Sequence, residues 1–95
     1  MAEVIWSPNA LDCLVSAAEY IATDSPHQAT LFVAHALKAV ERIAVFPRSG
    51  RVIPEMADAS RREVLFGAYR IMYNVEHDQI LITEVVHGSP NWSPE

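Results

Sequence analysis

One lysine, Lys38, and one cysteine, Cys13, are the sharpest scarcities of this 95-residue chain. A lone cysteine excludes an intrachain disulfide and a two-cysteine metal site. The four histidines, His27, His35, His77 and His87, share no ligand spacing with each other or with a carboxylate pair, so neither a metal nor a cofactor is expected. With three glycines there is no glycine-rich phosphate loop, and no nucleophile elbow or HExxH motif occurs. No apolar run approaches the roughly 20 residues of a membrane span. The opening MAEVIW has neither the cationic nor the apolar region of a secretory signal. A cytoplasmic protein without a membrane partner is expected.

Apolar material is plentiful. Hydrophobic residues make up 51% of the chain and charged residues 20%. That excludes intrinsic disorder, because disordered chains lack the apolar groups that offset ordering entropy. Residues 1–95 are expected to form one small domain with a single core. The apolar excess fits either a well-filled core or a surface covered by a partner.

The net charge of −5 is unevenly distributed. Residues 1–41 set Lys38 against five acids, and residues 74–95 have four acids with no lysine or arginine. Between them lie Arg42, Arg48, Arg51, Arg61, Arg62 and Arg70, against Glu55, Asp58 and Glu63. Nucleic-acid binding needs several converging cations. The acidic whole argues against it, while the local arginines keep it open.

Glu3 to Trp6 reads as a strand. Ser7-Pro8 supplies an N-cap and a first-turn proline, and Leu11, Leu14, Val15, Ala18, Ile21 and Ala22 recur at helical spacing over 8–22. Ser25, Pro26 and Gln28 open a second helix. Its apolar stripe runs to Phe46, about 20 residues or roughly 30 Å, and Pro47 stops it. The short link predicts an antiparallel helical hairpin. Residues 47–60, PRSGRVIPEMADAS, show no clean period and read as a long loop, a type that is often functional. Strands are predicted over 61–66, 69–75 and 79–87, with a turn at Glu76-His77-Asp78. The tail 89–95 reads as loose. The fold class is therefore α+β: an N-terminal strand, a helical hairpin and a three-stranded antiparallel meander. Parity places Tyr69, Ile71, Tyr73 and Val75 toward the helices, and Arg70, Met72 and Asn74 on an open face.

The hairpin from Gly67 to Gly88 contains the sharpest candidates. Arg70, between two tyrosines in mid-strand, either clamps a phosphate or carboxylate or forms a salt bridge on an open face. His87 is either a general acid or base or a satisfied strand end. Arg48, Arg51, Arg61 and Arg62 form either a basic rim or a solvated loop of weak ion pairs. Trp92 either anchors a partner or completes the core.

IWSPNALDCL (5–14), YIATDSPHQATLF (20–32), FPRSGRVIPE (46–55), RREVLFGAYRIMY (61–73) and ILITEVVHG (80–88) together resemble the ParE branch of the RelE/ParE toxin superfamily. The resemblance implies a bacterial type II toxin, bound by a cognate antitoxin in a hetero-oligomer that touches operator DNA only through the antitoxin. Such pairs serve plasmid or chromosome stability. ParE-like members poison DNA gyrase, whereas RelE-like members are ribosome-dependent mRNA endonucleases, so the fold alone does not choose. Cleavage of RNA needs an acid, a base and cations for the phosphorane. Here Arg70 matches the arginine of the family's strand and His87 lies near the expected end, but the lysines are missing. A non-enzymatic gyrase poison is therefore expected. The alternatives are a ribonuclease using Arg70 and His87, or a non-toxic interaction module. Arg48, Arg51, Arg61, Arg62, Arg70 and Trp92 are the candidate target contacts. Leu14, Ala18, Ile21, Phe32 and Leu37, in the groove beside the helices, are the candidate antitoxin contacts, the groove taking a helix and an added strand.

Overall fold

The computed structural model describes residues 1–88. Its elements are β1 (Glu3–Trp6), α1 (Pro8–Ala22), α2 (Pro26–Val45), β2 (Arg51–Val52), β3 (Arg61–Phe66), β4 (Tyr69–Glu76) and β5 (Gln79–His87). Both helices begin as their caps dictate. The Ser7 hydroxyl accepts from the Ala10 amide at 3.0 Å, and the Ser25 hydroxyl from the Gln28 amide at 3.2 Å. Each cap is followed by proline in the first turn, where its missing N–H costs nothing.

The strands form one sheet in the order β1-β5-β4-β3-β2. The predicted meander β3-β4-β5 is antiparallel throughout, turning at Gly67 and at Asp78, both in left-handed backbone conformations. Two features extend it. β1 pairs parallel with β5, from Glu3 opposite Gln79 to Trp6 opposite Ile82. β2, inside the segment read as loop, pairs antiparallel with β3. A register shift lies at Met72/Tyr73, where Met72 faces Glu84 and Tyr73 faces Ile82. The extra residue, Thr83, donates its hydroxyl to the Met72 carbonyl at 3.2 Å. A bulge of this kind reverses parity along one strand. Accordingly the buried residues of β5 are Ile80 and Ile82 before it and Val85 after it.

The helices cover one face of the sheet. Ala10 and Leu14 of α1, and Phe32, Ala36, Val40 and Ile43 of α2, join Ile71, Tyr73, Ile80, Ile82 and Val85 in the core. The predicted parity of β4 holds on this side. On the other side the expectation of an open face fails. Arg70 and Met72 are both buried. Within residues 47–60, β2 joins the sheet edge, Ile53 after it is buried, and Glu55 reaches over this face to Arg70, so the segment without a period is both an edge strand and a partial third layer.

Candidate functional site

Glu63 is the hub of that third layer. On β3 its neighbours Val64 and Phe66 pack toward the helices, so Glu63 points to the back face, where its side chain is 0% exposed. An isolated buried carboxylate would be very costly, and two arginines answer it. Arg51 Nε donates to Oε2 at 2.6 Å, and Arg70 Nε donates to Oε1 at 2.6 Å. The rest of the Arg70 fork is bidentate on Glu55: Nη1 to Oε2 at 3.1 Å and Nη2 to Oε1 at 2.8 Å. The cluster holds two positive and two negative groups. The hydrogen bonds Arg70 donates to Glu55, then those it donates to Glu63, push its guanidinium further up its already high range. The Arg70 hydrogen bonds hold the Glu55 carboxyl below its ordinary value.

Tyr73 fastens the start of the same segment. Its hydroxyl donates to the Pro47 carbonyl at 2.8 Å and accepts from the Gly50 amide at 3.0 Å. Burial raises the Tyr73 phenol above its ordinary value. Gly50 is demanded by space: a Cβ there would lie 2.5 Å from both the Glu63 carbonyl oxygen and the Tyr73 hydroxyl. Asp58 closes the far end. It accepts from the Ser60 amide at 2.9 Å, a bond that lowers its carboxyl pKa, and from the Ser60 hydroxyl at 2.8 Å.

The expected basic rim is mostly an internal bracing system. Arg70, expected on an open face, is enclosed by Glu55 and Glu63, because the turn beyond β2 brings Glu55 over it. Arg51 is paired with Glu63 and Arg61 with Asp58 at 3.5 Å. Arg62 is half-buried, and its guanidinium donates to the Ala59 and Gly50 carbonyls, each at 3.0 Å. Arg48 is exposed. Trp92 lies outside the described residues. Arg70 and His87 do share a notch of about 350 Å³, together with Glu55, Tyr69 and Gly88. The His87 ring sits edge-on to Tyr69, 5.4 Å between centroids. Among the described residues no group of three His, Cys, Asp or Glu side chains is placed to hold a metal.

The candidate antitoxin contacts also divide. Leu14 and Phe32 are core residues, not surface: they turn inward, and Phe32 packs its ring 5.3 Å from Phe66 and 4.8 Å from Tyr69. Ala18 and Ile21 are half-buried against that core. Leu37 is 49% exposed and, with Ala18, Ala22, Ala29 and Val33, lines an apolar groove of about 600 Å³ between the outer sides of the helices. Leu11 and Val15, also exposed, continue the apolar surface of α1. A second groove, about 820 Å³, separates α2 from the β3 edge, with Lys38, Arg42, Val45 and Leu65 on its walls.

Sequence reasoning missed Glu55, Glu63, Gly50 and Tyr73 as parts of the site. The available signal for Glu63 was its parity: it shares a face with Arg70 one strand away.

A family model for the ParE toxin of type II toxin–antitoxin systems, parDE, matches residues 4–92. The chain belongs to the ParE toxin family. One solved structure similar to it is described as a chromosomal ParDE TA system from P. aeruginosa, with a TM-score of 0.77 at 16% identity. That match covers 94% of this chain and 98% of the other, and shows a shared fold. A search of curated proteins found no match. This ParE-family chain has, among its described residues, no helix long and apolar enough to cross a membrane.

Proposed function

We infer that this toxin acts by binding DNA gyrase, without chemistry of its own, and is neutralised by a cognate antitoxin in a cytoplasmic hetero-oligomer. The observation that carries the reading is the state of Arg70. An arginine that stabilises a phosphorane must present free donors to it. Here the fully buried Glu63 holds Nε and Nη2 at 2.6 Å and offsets the charge whatever else meets the fork, and Glu55 engages both Nη atoms as well. Glu55 also adds negative charge to the notch that Arg70 shares with His87. The single lysine, Lys38, lies on α2 beside a different groove. A binder needs no converging acid, base and cations, so these features cost it nothing.

The antitoxin is placed on the outer helix groove, where an amphipathic helix can lay apolar anchors against Leu37 and Val15. Contact with operator DNA would then come through the antitoxin, a division that the chain's net charge of −5 favours. Gyrase contact is assigned to the exposed Arg48, Arg51 and Arg61, the half-buried Arg62 and the 89–95 segment with Trp92.

The test pairs two purified systems. The full chain is titrated into gyrase with relaxed plasmid, and separately into translating ribosomes with mRNA. Inhibited supercoiling with intact mRNA supports the reading. Cut mRNA with untouched gyrase establishes a ribonuclease instead, and neither effect leaves an interaction module.

A further inference from the structure

The notch at the end of the β3–β4 hairpin has an unusual floor: a guanidinium whose outer fork is filled by the chain's own carboxylate. The two carboxylates on Arg70 are not equivalent. Glu63 is 0% exposed and sits on a strand paired on both sides. Glu55 is 26% exposed and opens to the notch. It rides on a turn beyond β2, held to the sheet before it by the Ile53 amide on the Arg61 carbonyl at 3.0 Å and after it by the Val75 amide on the Ser60 carbonyl at 2.7 Å. Two residues after Glu55, Ala57 has φ 51°, a conformation that L side chains with a Cβ adopt at a cost. The rim opposite is firm, since the Gly88 amide bonds the Ala68 carbonyl at 2.6 Å. A rigid fork, a rigid far wall and a strained turn that carries the blocking group describe a receptor closed by its own plug.

We propose that this notch receives an acidic side chain of a protein partner, an Asp or Glu whose carboxylate takes the Arg70 fork in place of Glu55. Charge balance selects this ligand. Exchange of one carboxylate for another leaves the cluster of Arg51, Arg70 and Glu63 with the same single anionic partner, and the displaced Glu55 moves into water. A phosphate dianion would leave excess negative charge beside the fixed, buried Glu63. A nucleic-acid backbone would need several converging cations, and this notch offers Arg70 and Arg51 next to that carboxylate. The planar fork matches a carboxylate bidentately. The partner must bring further contacts, because a tethered Glu55 competes at a high effective concentration. The site does not depend on whether the target is gyrase.

The probe is sodium acetate, titrated into the full ¹⁵N-labelled chain against matched sodium chloride, with the Arg70 Nε resonance as readout. In Glu55→Gln the carboxylate competitor is gone, so acetate should bind at least about tenfold more tightly than in the unmodified chain. Arg70→Lys in that background should abolish the acetate response of the Gly88 amide, which lies on the same notch. Equal affinity in both chains, or a response no larger than that of chloride, overturns the proposal. Inorganic phosphate binding more tightly than acetate overturns the carboxylate assignment. Glu55→Ala is the companion variant: if both Glu55 variants lose the sheet's dispersed amide shifts, Glu55 is a structural brace and the plug is refuted.

Discussion

Two arginines converge on one buried carboxylate, and that makes the consequences of substitution asymmetric. Removing Arg51, whose side chain is 56% exposed, leaves Glu63 with Arg70. Removing Glu63 leaves the enclosed Arg70 with half its partners. Glu63→Ala should therefore lower the unfolding free energy by about 3–5 kcal/mol, the usual cost of breaking a buried pair, read from urea denaturation. Gly50→Ala forces a methyl group into the Glu63 carbonyl and the Tyr73 hydroxyl. It should cost about 1–3 kcal/mol by overpacking, in the same assay. The cluster also fixes the sign of the acid response. Glu55 has a folded pKa depressed below 4.5 by its bonds to Arg70. Its contribution is fully present above that value and is lost as pH falls through the lower folded value. Asp58 shifts in the same direction from 3.8. The urea midpoint should fall between pH 5 and pH 3, and fall less in Glu55→Gln; an equal fall in both would separate Glu55 from the acid response.

At the scale of elements, legibility in the sequence followed the range of the cause. Both helices were readable because their determinants are local: Ser7-Pro8 and Ser25-Pro26 at the starts, an unbroken apolar stripe, and Pro47 at the end. The β3–β4 and β4–β5 hairpins were readable because Gly67 and Asp78 occupy turns between alternating runs. β2 was not, since two residues carry no period and Arg51–Val52 is a strand only because Glu63 and Arg62 lie opposite. The parallel β1–β5 pair was equally hidden, its partners being 76 positions apart in Glu3 and Gln79. Arg70 was recognised as the pivotal side chain, but its surroundings were not, because they depend on the turn beyond β2 bringing Glu55 over it. Tyr73 is the tether that fixes where this segment starts. Tyr73→Phe should leave the Gly50 amide and Pro47 carbonyl without their partner, at about 1–3 kcal/mol. Hydrogen exchange at the Gly50 amide should accelerate while amides of β4 and β5 lose less protection.

On the scale of the whole molecule, one face is braced and another is left bare. The arginine-rich middle of the chain sets three of its six arginines against its own carboxylates, whereas the outer helix face exposes Leu11, Val15 and Leu37 around a groove of small residues. That division fits a toxin that works through surfaces. Val15→Glu with Leu37→Glu touches no core residue, so it should weaken antitoxin affinity at least about tenfold with an unchanged urea midpoint, as measured by calorimetry on the purified pair. The central claim, a gyrase poison without its own chemistry, is tested most directly by gyrase-mediated cleavage of supercoiled plasmid. Titration of the full chain should accumulate linear DNA covalently attached to gyrase, and added antitoxin should suppress it. Unaltered gyrase turnover at saturating toxin, together with mRNA cut in translating ribosomes, would contradict the account.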